Sequence, residues 1–165
     1  MPQTSKSSLA QKSAKTLKST QEAMTQTQMA ALPVTIDQKG DLRILMITSR
    51  DTGRWVLPKG WPMKGKNLRR AAEQEAMEEA GVIGEVSKKP IGVYHYTKRM
   101  EKGDDIPCEV ILFPLKVKKL LRSWPERDER KRKWFSPKGA AKRVDEEDLR
   151  AILSDIKTEE LALAL

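Results

Sequence analysis

Three glutamates near the middle of the chain have the spacing of a metal-binding helix face. At about 100° per helical residue, Glu75, Glu78 and Glu79 fall on one side of a helix. Like-charge pairs at these spacings destabilise an isolated helix by about 0.2–0.5 kcal/mol each. The last two also precede Gly81, where the negative end of the helix dipole disfavours carboxylates. A hard divalent cation would compensate for these costs, and a solvated acidic surface is the alternative.

The residues on either side predict the helix and loop that position these glutamates. Asn67 is a suitable N-cap and Gly81 a suitable residue to end the helix, so we expect a helix over residues 67–80. The preceding loop, residues 58–65, contains two prolines and two glycines. The glutamate face also carries small apolar residues, which indicates that this side of the helix packs on other elements.

The rest of the chain predicts strands and helices around this segment. We expect a hairpin of two strands at residues 29–36 and 42–48, followed by a short extended piece at residues 54–57. Two later strands are expected at residues 91–99 and 107–117, and two final helices begin near Pro137 and Asp145. This order predicts an α/β domain with a mixed sheet. We place the domain at residues 27–155, between a flexible basic tail at 1–26 and a C-terminal tail at 156–165.

Composition restricts the class of protein and its partners. The 165 residues suit one domain and include no apolar run of the roughly 18–20 residues that a membrane-spanning helix needs. There are 32 Lys plus Arg against 23 Asp plus Glu, a formal charge of +9 that attracts polyanions: phosphorylated metabolites, nucleic acid or an anionic membrane surface. The single cysteine, Cys108, lies in an apolar run and fits a reducing cytoplasm.

The segment from Gly60 to Val82 resembles the Nudix box. That motif reads Gly, five residues, Glu, seven residues, Arg-Glu, an aliphatic residue, any residue, Glu-Glu, any residue, Gly and an aliphatic residue. The matching residues are Gly60, Glu75, Ala76, Glu78, Glu79, Gly81 and Val82. The resemblance implies an α/β/α sandwich with a mixed sheet, and hydrolysis of phosphoanhydride bonds in phosphorylated small molecules.

The resemblance also implies the roles of the glutamates. Glu75 and Glu79 would be the principal ligands of Mg²⁺, or of Mn²⁺ as an alternative. Glu78 would be either a further ligand or the base that activates water. Glu109, outside the box, is another candidate base, with an exposed strand carboxylate as the alternative.

Two positions depart from the box. Lys66 stands where the motif has Glu, and Gln74 stands where it has Arg. In the family that arginine orients a metal-site glutamate through an ion pair, whereas Gln74 can supply only a neutral hydrogen bond. Since both members of the oppositely charged pair have changed, we favour a retuned enzyme over a metal-free fold.

Cations near the motif suggest the substrate. Residues 29–150 resemble the branch that hydrolyses diphosphoinositol polyphosphates and diadenosine polyphosphates. Between Lys116 and Lys133 there are nine Lys or Arg and three Asp or Glu, which suits an anionic substrate as well as a solvated face. The residues predicted to bind substrate are Arg50, Lys59, Gly60, Arg130 and Arg132. Trp124 and Trp134 are candidates for stacking on a base, with a place in the core as the alternative.

A second hypothesis is a catalytically weak or inactive Nudix-fold module that binds nucleotides or nucleic acid. It would explain the +9 charge, Lys66 and Gln74, but it leaves the clustered glutamates unexplained. Aromatic residues make up only 5% of the chain and show no stacking platform, so nucleic acid is the less favoured partner.

Overall fold

The computed structural model describes residues 25–159 and 161. The predicted N-terminal tail therefore lies outside the described residues except for its last two, and the C-terminal tail is described in part. The strands are β1 (Gln26–Ile36), β2 (Leu42–Thr48), β3 (Trp55–Val56), β4 (Lys59–Gly60), β5 (Val82–Val86), β6 (Gly92–Lys98), β7 (Ile106–Leu120) and β8 (Arg132–Phe135). The helices are α1 (Leu68–Ala80), α2 (Pro137–Arg143) and α3 (Glu147–Asp155).

The strands form one eight-stranded mixed sheet. Its main path runs β3-β2-β1-β7-β5, with β4 beside β1, β6 beside β7 and β8 beside β2. Strands β1 and β7 are parallel, in a register that sets Gln26 against Cys108, and the other pairs are antiparallel. The predicted mixed sheet and the first hairpin are confirmed.

Helices cover both faces of this sheet. Along β1, Met29 and Ala31 belong to the core beneath α1, whereas Ala30 and Leu32 belong to the core beneath α2 and α3. All four residues are fully buried. A strand buried on both faces reads as a continuous apolar run rather than an alternating one. The arrangement is the predicted α/β/α sandwich.

Helix α1 has the predicted caps. The Asn67 side chain accepts a hydrogen bond from the Arg70 backbone N–H at 3.0 Å. At the other end Gly81 adopts φ 65°, a left-handed conformation that favours glycine, and donates its N–H to the Met77 carbonyl at 3.0 Å. A Cβ at Gly81 would also lie 2.5 Å from Cδ2 of Trp124. The turn is therefore restricted to glycine by both backbone and packing.

Three strands were not predicted. Strand β5 follows Gly81 directly and is short and interrupted by Gly84, so it lacks a clear alternating pattern. Strand β8 consists of two basic residues followed by two aromatic ones, so it also lacks an alternating pattern, and it lies at the end of a basic stretch for which no strand was predicted. Strand β4 has only two residues. In addition, β1 begins at Gln26, three residues before its predicted start.

No helix among residues 25–159 is long and apolar enough to cross a membrane.

Candidate active site

Glu75 and Glu79 meet on the side of α1 that faces the sheet. The two side chains share a hydrogen bond. Glu79 is 5% exposed, which is rare for a carboxylate. Small buried alanines on the same helix, Ala71, Ala72 and Ala76, allow α1 to lie close to the sheet and enclose the pair.

Burial changes the protonation of this pair. The pKa of Glu79 is raised to about 9, mainly by burial and in addition by the hydrogen bond with Glu75, while the Arg130 charge opposes the rise. Burial also raises the pKa of Glu75. At neutral pH, and with no bound cation, the two carboxyls therefore retain a shared proton.

Arg130 holds the buried end of the site together. Its Nη2 lies 3.3 Å from a Glu79 oxygen and 3.0 Å from Glu126, and its Nη1 donates to the Thr48 carbonyl at 3.1 Å. The Arg130 side chain is only 10% exposed. Arg130 was among the predicted site residues, but Glu126 was not. The four-residue separation of Glu126 and Arg130 could have indicated an ion pair. It did not stand out, because several neighbouring residues are also charged.

Gly60 gives Glu75 the space that it occupies. Strand β4 pairs with β1, placing Gly60 against Met29. A Cβ at Gly60 would lie 2.5 Å from the Glu75 carboxyl carbon, so any side chain would displace the carboxylate. The loop glycine and the helix glutamate therefore form one unit.

Lys59 brings a cation to the same region. Its ammonium lies 5.0 Å from the centre of the Tyr96 ring. Burial lowers the pKa of Lys59, the Glu79 charge opposes this, and the Arg54 charge adds to it. Among residues 25–159 the ammonium forms no ion pair within 4 Å. A partly buried cation of this kind favours an anionic ligand.

The sequence did not identify a second ion pair near Lys59. Arg54 donates to the Glu146 carboxylate at 3.0 Å, and the Glu146 side chain is 9% exposed. Asp145 lies 3.6 Å from the Arg54 guanidinium. The pair of Arg54 with Glu146 joins the start of β3 to the start of α3, across a separation of 92 residues. No local pattern marks an interaction over that separation.

Glu78 has a hydrogen-bond partner of its own beside the carboxyl pair. Its carboxylate accepts a hydrogen bond at 2.8 Å from the Gln74 side-chain amide. The oxygen of that amide accepts a hydrogen bond from the Lys66 ammonium. Glu78 is also close enough for its charge to add to the burial that raises the pKa of Glu75. In the described part of the chain, no three acidic, His or Cys side chains form a ready-made metal group, so the structure brings Glu75 and Glu79 into contact with Glu78 nearby.

The two remaining predicted cations lie outside the carboxyl pair. Arg50 is 55% exposed, and its Nη1 lies 3.7 Å from Glu126 and 3.6 Å from Glu129. Arg132 donates to the backbone carbonyls of Ala80 at 2.9 Å and Leu121 at 2.7 Å. A cation at this end of α1 interacts favourably with the helix dipole.

The two tryptophans that were candidates for stacking on a base pack within the fold. Trp134 lies against the core beneath α1. Trp124 donates its indole N–H to the Glu79 carbonyl at 3.2 Å, and the guanidinium of Arg132 stacks on its ring at 4.0 Å. Glu109 is half-buried on β7, opposite His95.

The donors at the carboxyl pair fit a divalent cation. Both side chains supply hard oxygen ligands, and a cation would replace the proton that burial forces them to share. Arg130 limits the negative charge without occupying both carboxyls, because its contact is with Glu79. The donor chemistry therefore suits Mg²⁺ or Mn²⁺.

Comparisons with known proteins point to one family. The NUDIX domain model matches residues 26–155. Nudix hydrolase 13, mitochondrial, of Arabidopsis thaliana is 34% identical over 143 residues, which cover 79% of this chain and 71% of that protein. Diphosphoinositol polyphosphate phosphohydrolase 3-alpha of Mus musculus is 32% identical over 107 residues, covering 64% of this chain and 61% of that protein.

Solved structures show the same fold. The structure of a C. elegans Ap4A hydrolase binary complex matches with a TM-score of 0.58 at 18% identity, covering 78% of this chain and 92% of the other. The NUDIX domain of Shewanella oneidensis NrtR, complexed with ADP ribose, matches with a TM-score of 0.59 at 13% identity, covering 79% of this chain and 87% of the other.

Proposed function

Since this chain belongs to the Nudix hydrolase family, we propose that it hydrolyses phosphoanhydride bonds with a divalent cation held at Glu75 and Glu79. The observation that carries the proposal is the buried carboxyl pair, in which Glu79 is 5% exposed, is hydrogen-bonded to Glu75 and lies 3.3 Å from the Arg130 guanidinium. A structural role would not require two acids in contact in the core, because apolar side chains would fill that space at lower cost.

Phosphoryl transfer depends mainly on positioning and on neutralisation of charge. Bound Mg²⁺ would supply charge neutralisation and a more acidic water. The chain's own residues supply the rest: Arg130 fixes the orientation of Glu79, and Gly60 leaves room for Glu75. Glu78 keeps the two roles that the family resemblance implies, a further ligand or the base.

We propose a substrate with several phosphates, such as a diadenosine polyphosphate or a diphosphoinositol polyphosphate. The partly buried Lys59 ammonium is the first candidate for phosphate contact, with Arg50 at the exposed rim. The names of the mouse and nematode relatives support these substrate classes. Arg132 is no longer proposed as a contact, because its guanidinium is bound to backbone carbonyls.

The proposed location is the cytoplasm, because Cys108 is a buried free thiol that suits a reducing compartment. The Arabidopsis relative is named as mitochondrial, and that compartment agrees equally with the thiol.

A second candidate function is a nucleotide-binding module without turnover. The described residues favour it in one respect, since they contain no ready-made group of three acidic, His or Cys ligands. Metal-dependent turnover separates the two functions.

The test measures product release with Mg²⁺ and with Mn²⁺ for wild type and Glu79→Gln. The substrates are diadenosine polyphosphates, a diphosphoinositol phosphate and ordinary nucleotides. We expect kcat to fall by about 10²- to 10³-fold in the variant, as for other losses of a preorganised electrostatic group. Glu73→Gln is the matched control, because Glu73 lies on the same helix and, among the described residues, pairs only with Arg70, at 3.0 Å.

Turnover by wild type without added metal, or equal kcat in Glu79→Gln, would contradict the proposed chemistry. Nucleotide binding without turnover of any substrate would establish the second candidate.

A further inference from the structure

The two departures from the Nudix box contact each other and lead to Glu78. The Lys66 ammonium donates to the side-chain oxygen of Gln74. The amide nitrogen of Gln74 then donates to Glu78 Oε1 at 2.8 Å. Lys66 and Gln74 are eight positions apart, so their contact depends on the turn of the backbone before α1.

The chemistry of the two ends fixes the orientation of the amide between them. An ammonium can only donate, and an ionised carboxylate can only accept. The Gln74 oxygen must therefore face Lys66, and its nitrogen must face Glu78. A flipped amide would lose both hydrogen bonds.

Among the residues that the structure describes, no other side chain holds Glu78. It forms no ion pair there, and Gln74 provides its one side-chain hydrogen bond. Lys66 likewise has no acidic partner there. The carboxylate of Glu78 is thus oriented by one neutral donor, which is itself held by one cation.

The residues at 66 and 74 are complementary, so replacing one alone would break the chain of hydrogen bonds. An arginine at 74 would place two cations side by side if Lys66 remained. A glutamate at 66 would deprive the Gln74 oxygen of its donor. Only a simultaneous exchange, to Glu at 66 and Arg at 74, would restore the ion pair of the Nudix box.

We propose that Lys66 and Gln74 are positioning residues that hold Glu78 for the metal site through a neutral amide, in place of the charged pair of the Nudix box. An amide orients the carboxylate without neutralising it, whereas a guanidinium in contact reduces its net charge. Glu78 then keeps its full charge for a bound cation. This inference rests on the proposed function, since it assigns Glu78 to that same site.

The experiment is a double-mutant cycle with Lys66→Glu, Gln74→Arg and the double variant. For each protein we would measure kcat and, independently of turnover, Mn²⁺ affinity by electron paramagnetic resonance. Lys64→Glu is the matched control, because it makes the same change of charge two residues away, at an exposed lysine whose side chain has no hydrogen bond or ion pair within residues 25–159. The thermal unfolding midpoint reports any general loss of structure.

We expect each single variant to lose about 10-fold or more in kcat and Mn²⁺ affinity, the range for loss of a residue that orients a metal ligand. The double variant should recover to within about threefold of wild type, because its two changes interact. Lys64→Glu should change both quantities by about twofold or less. Lys66→Arg, which retains a cationic donor, should keep most of the activity.

Additive losses in the double variant, or equal effects of Lys66→Glu and Lys64→Glu, would overturn the inference while leaving the proposed function intact. Absence of Mn²⁺ binding by wild type would overturn the proposed function, and this inference with it.

Discussion

Two neighbouring glutamates of helix α1 are held by different means. Glu79 faces the sheet, is 5% exposed, shares a hydrogen bond with Glu75 and contacts the buried guanidinium of Arg130. Glu78, the residue before it, is half-buried and is held by the neutral Gln74 amide, with the exposed Lys66 behind it. Water helps to stabilise a charge at the partly exposed Glu78, so a neutral donor is sufficient there. Burial removes that help at Glu79, which requires a cation or a proton.

Among the tests of this comparison, the largest effect is expected for Arg130→Met, which removes the buried cation and retains most of the side-chain volume. Glu79 and Glu126 would lose their counter-charge, and breaking a buried pair in this way costs about 3–5 kcal/mol. We expect the free energy of unfolding in urea to fall by that amount. Arg50→Met is the exposed counterpart and should cost about 1 kcal/mol or less. Similar losses for both variants would show that burial does not distinguish the two arginines.

A smaller effect is expected at the C-terminal end of the same helix. Arg132→Met removes hydrogen bonds to the carbonyls of Ala80 and Leu121, and a hydrogen bond with a charged donor contributes about 1.5–3 kcal/mol. The free energy of unfolding should fall accordingly, while kcat stays within about threefold of wild type. Lys133→Met controls for the loss of one positive charge. A large rise in KM with unchanged stability would instead place Arg132 at the substrate.

The third test uses the pKa of Glu79, which burial raises from 4.5 to about 9. Between these values the folded, metal-free protein keeps a proton that the unfolded chain has released. Its free energy of unfolding should therefore fall as pH rises through this window, by at most about 1.4 kcal/mol per pH unit for one proton. Urea titrations at several pH values, with a chelator present, measure the slope. Glu79→Gln should remove the slope, and Glu73→Gln should retain it; a slope unaffected by Glu79→Gln would assign it to another group.

Much of the fold follows from local signals in the chain. Asn67 and Gly81 determine the ends of α1, and the turn before Leu42 determines the first hairpin. Strands β5 and β8 were not predicted, because their stability comes from neighbours rather than from their own pattern. Arg132 to Phe135, for example, forms a strand only because β2 offers an edge to pair with.

The candidate site could be predicted where residues of the same chemical type lie at helical spacing on one helix. That condition identifies the carboxylates Glu75, Glu78 and Glu79. It does not identify Glu126 or Glu146, whose partners come from other elements. The orientation of the Glu78 carboxylate also depends on which side chains Gln74 contacts, and helical periodicity alone contains no information on those contacts.

The parallel pairing of β1 with β7 affects the order in which the protein folds. Gln26 lies against Cys108, roughly 80 residues further along the chain, and contacts of such long range form slowly because a large loop must close first. The face of the sheet that buries Glu79 includes Met29 and Ala31 of β1 together with Phe113 and Leu115 of β7. Until that loop closes, the surface that buries Glu79 is incomplete and its carboxyl group remains in contact with water. We therefore expect the unfavourable desolvation of the carboxyl pair to arise late in folding, when the surrounding core has formed.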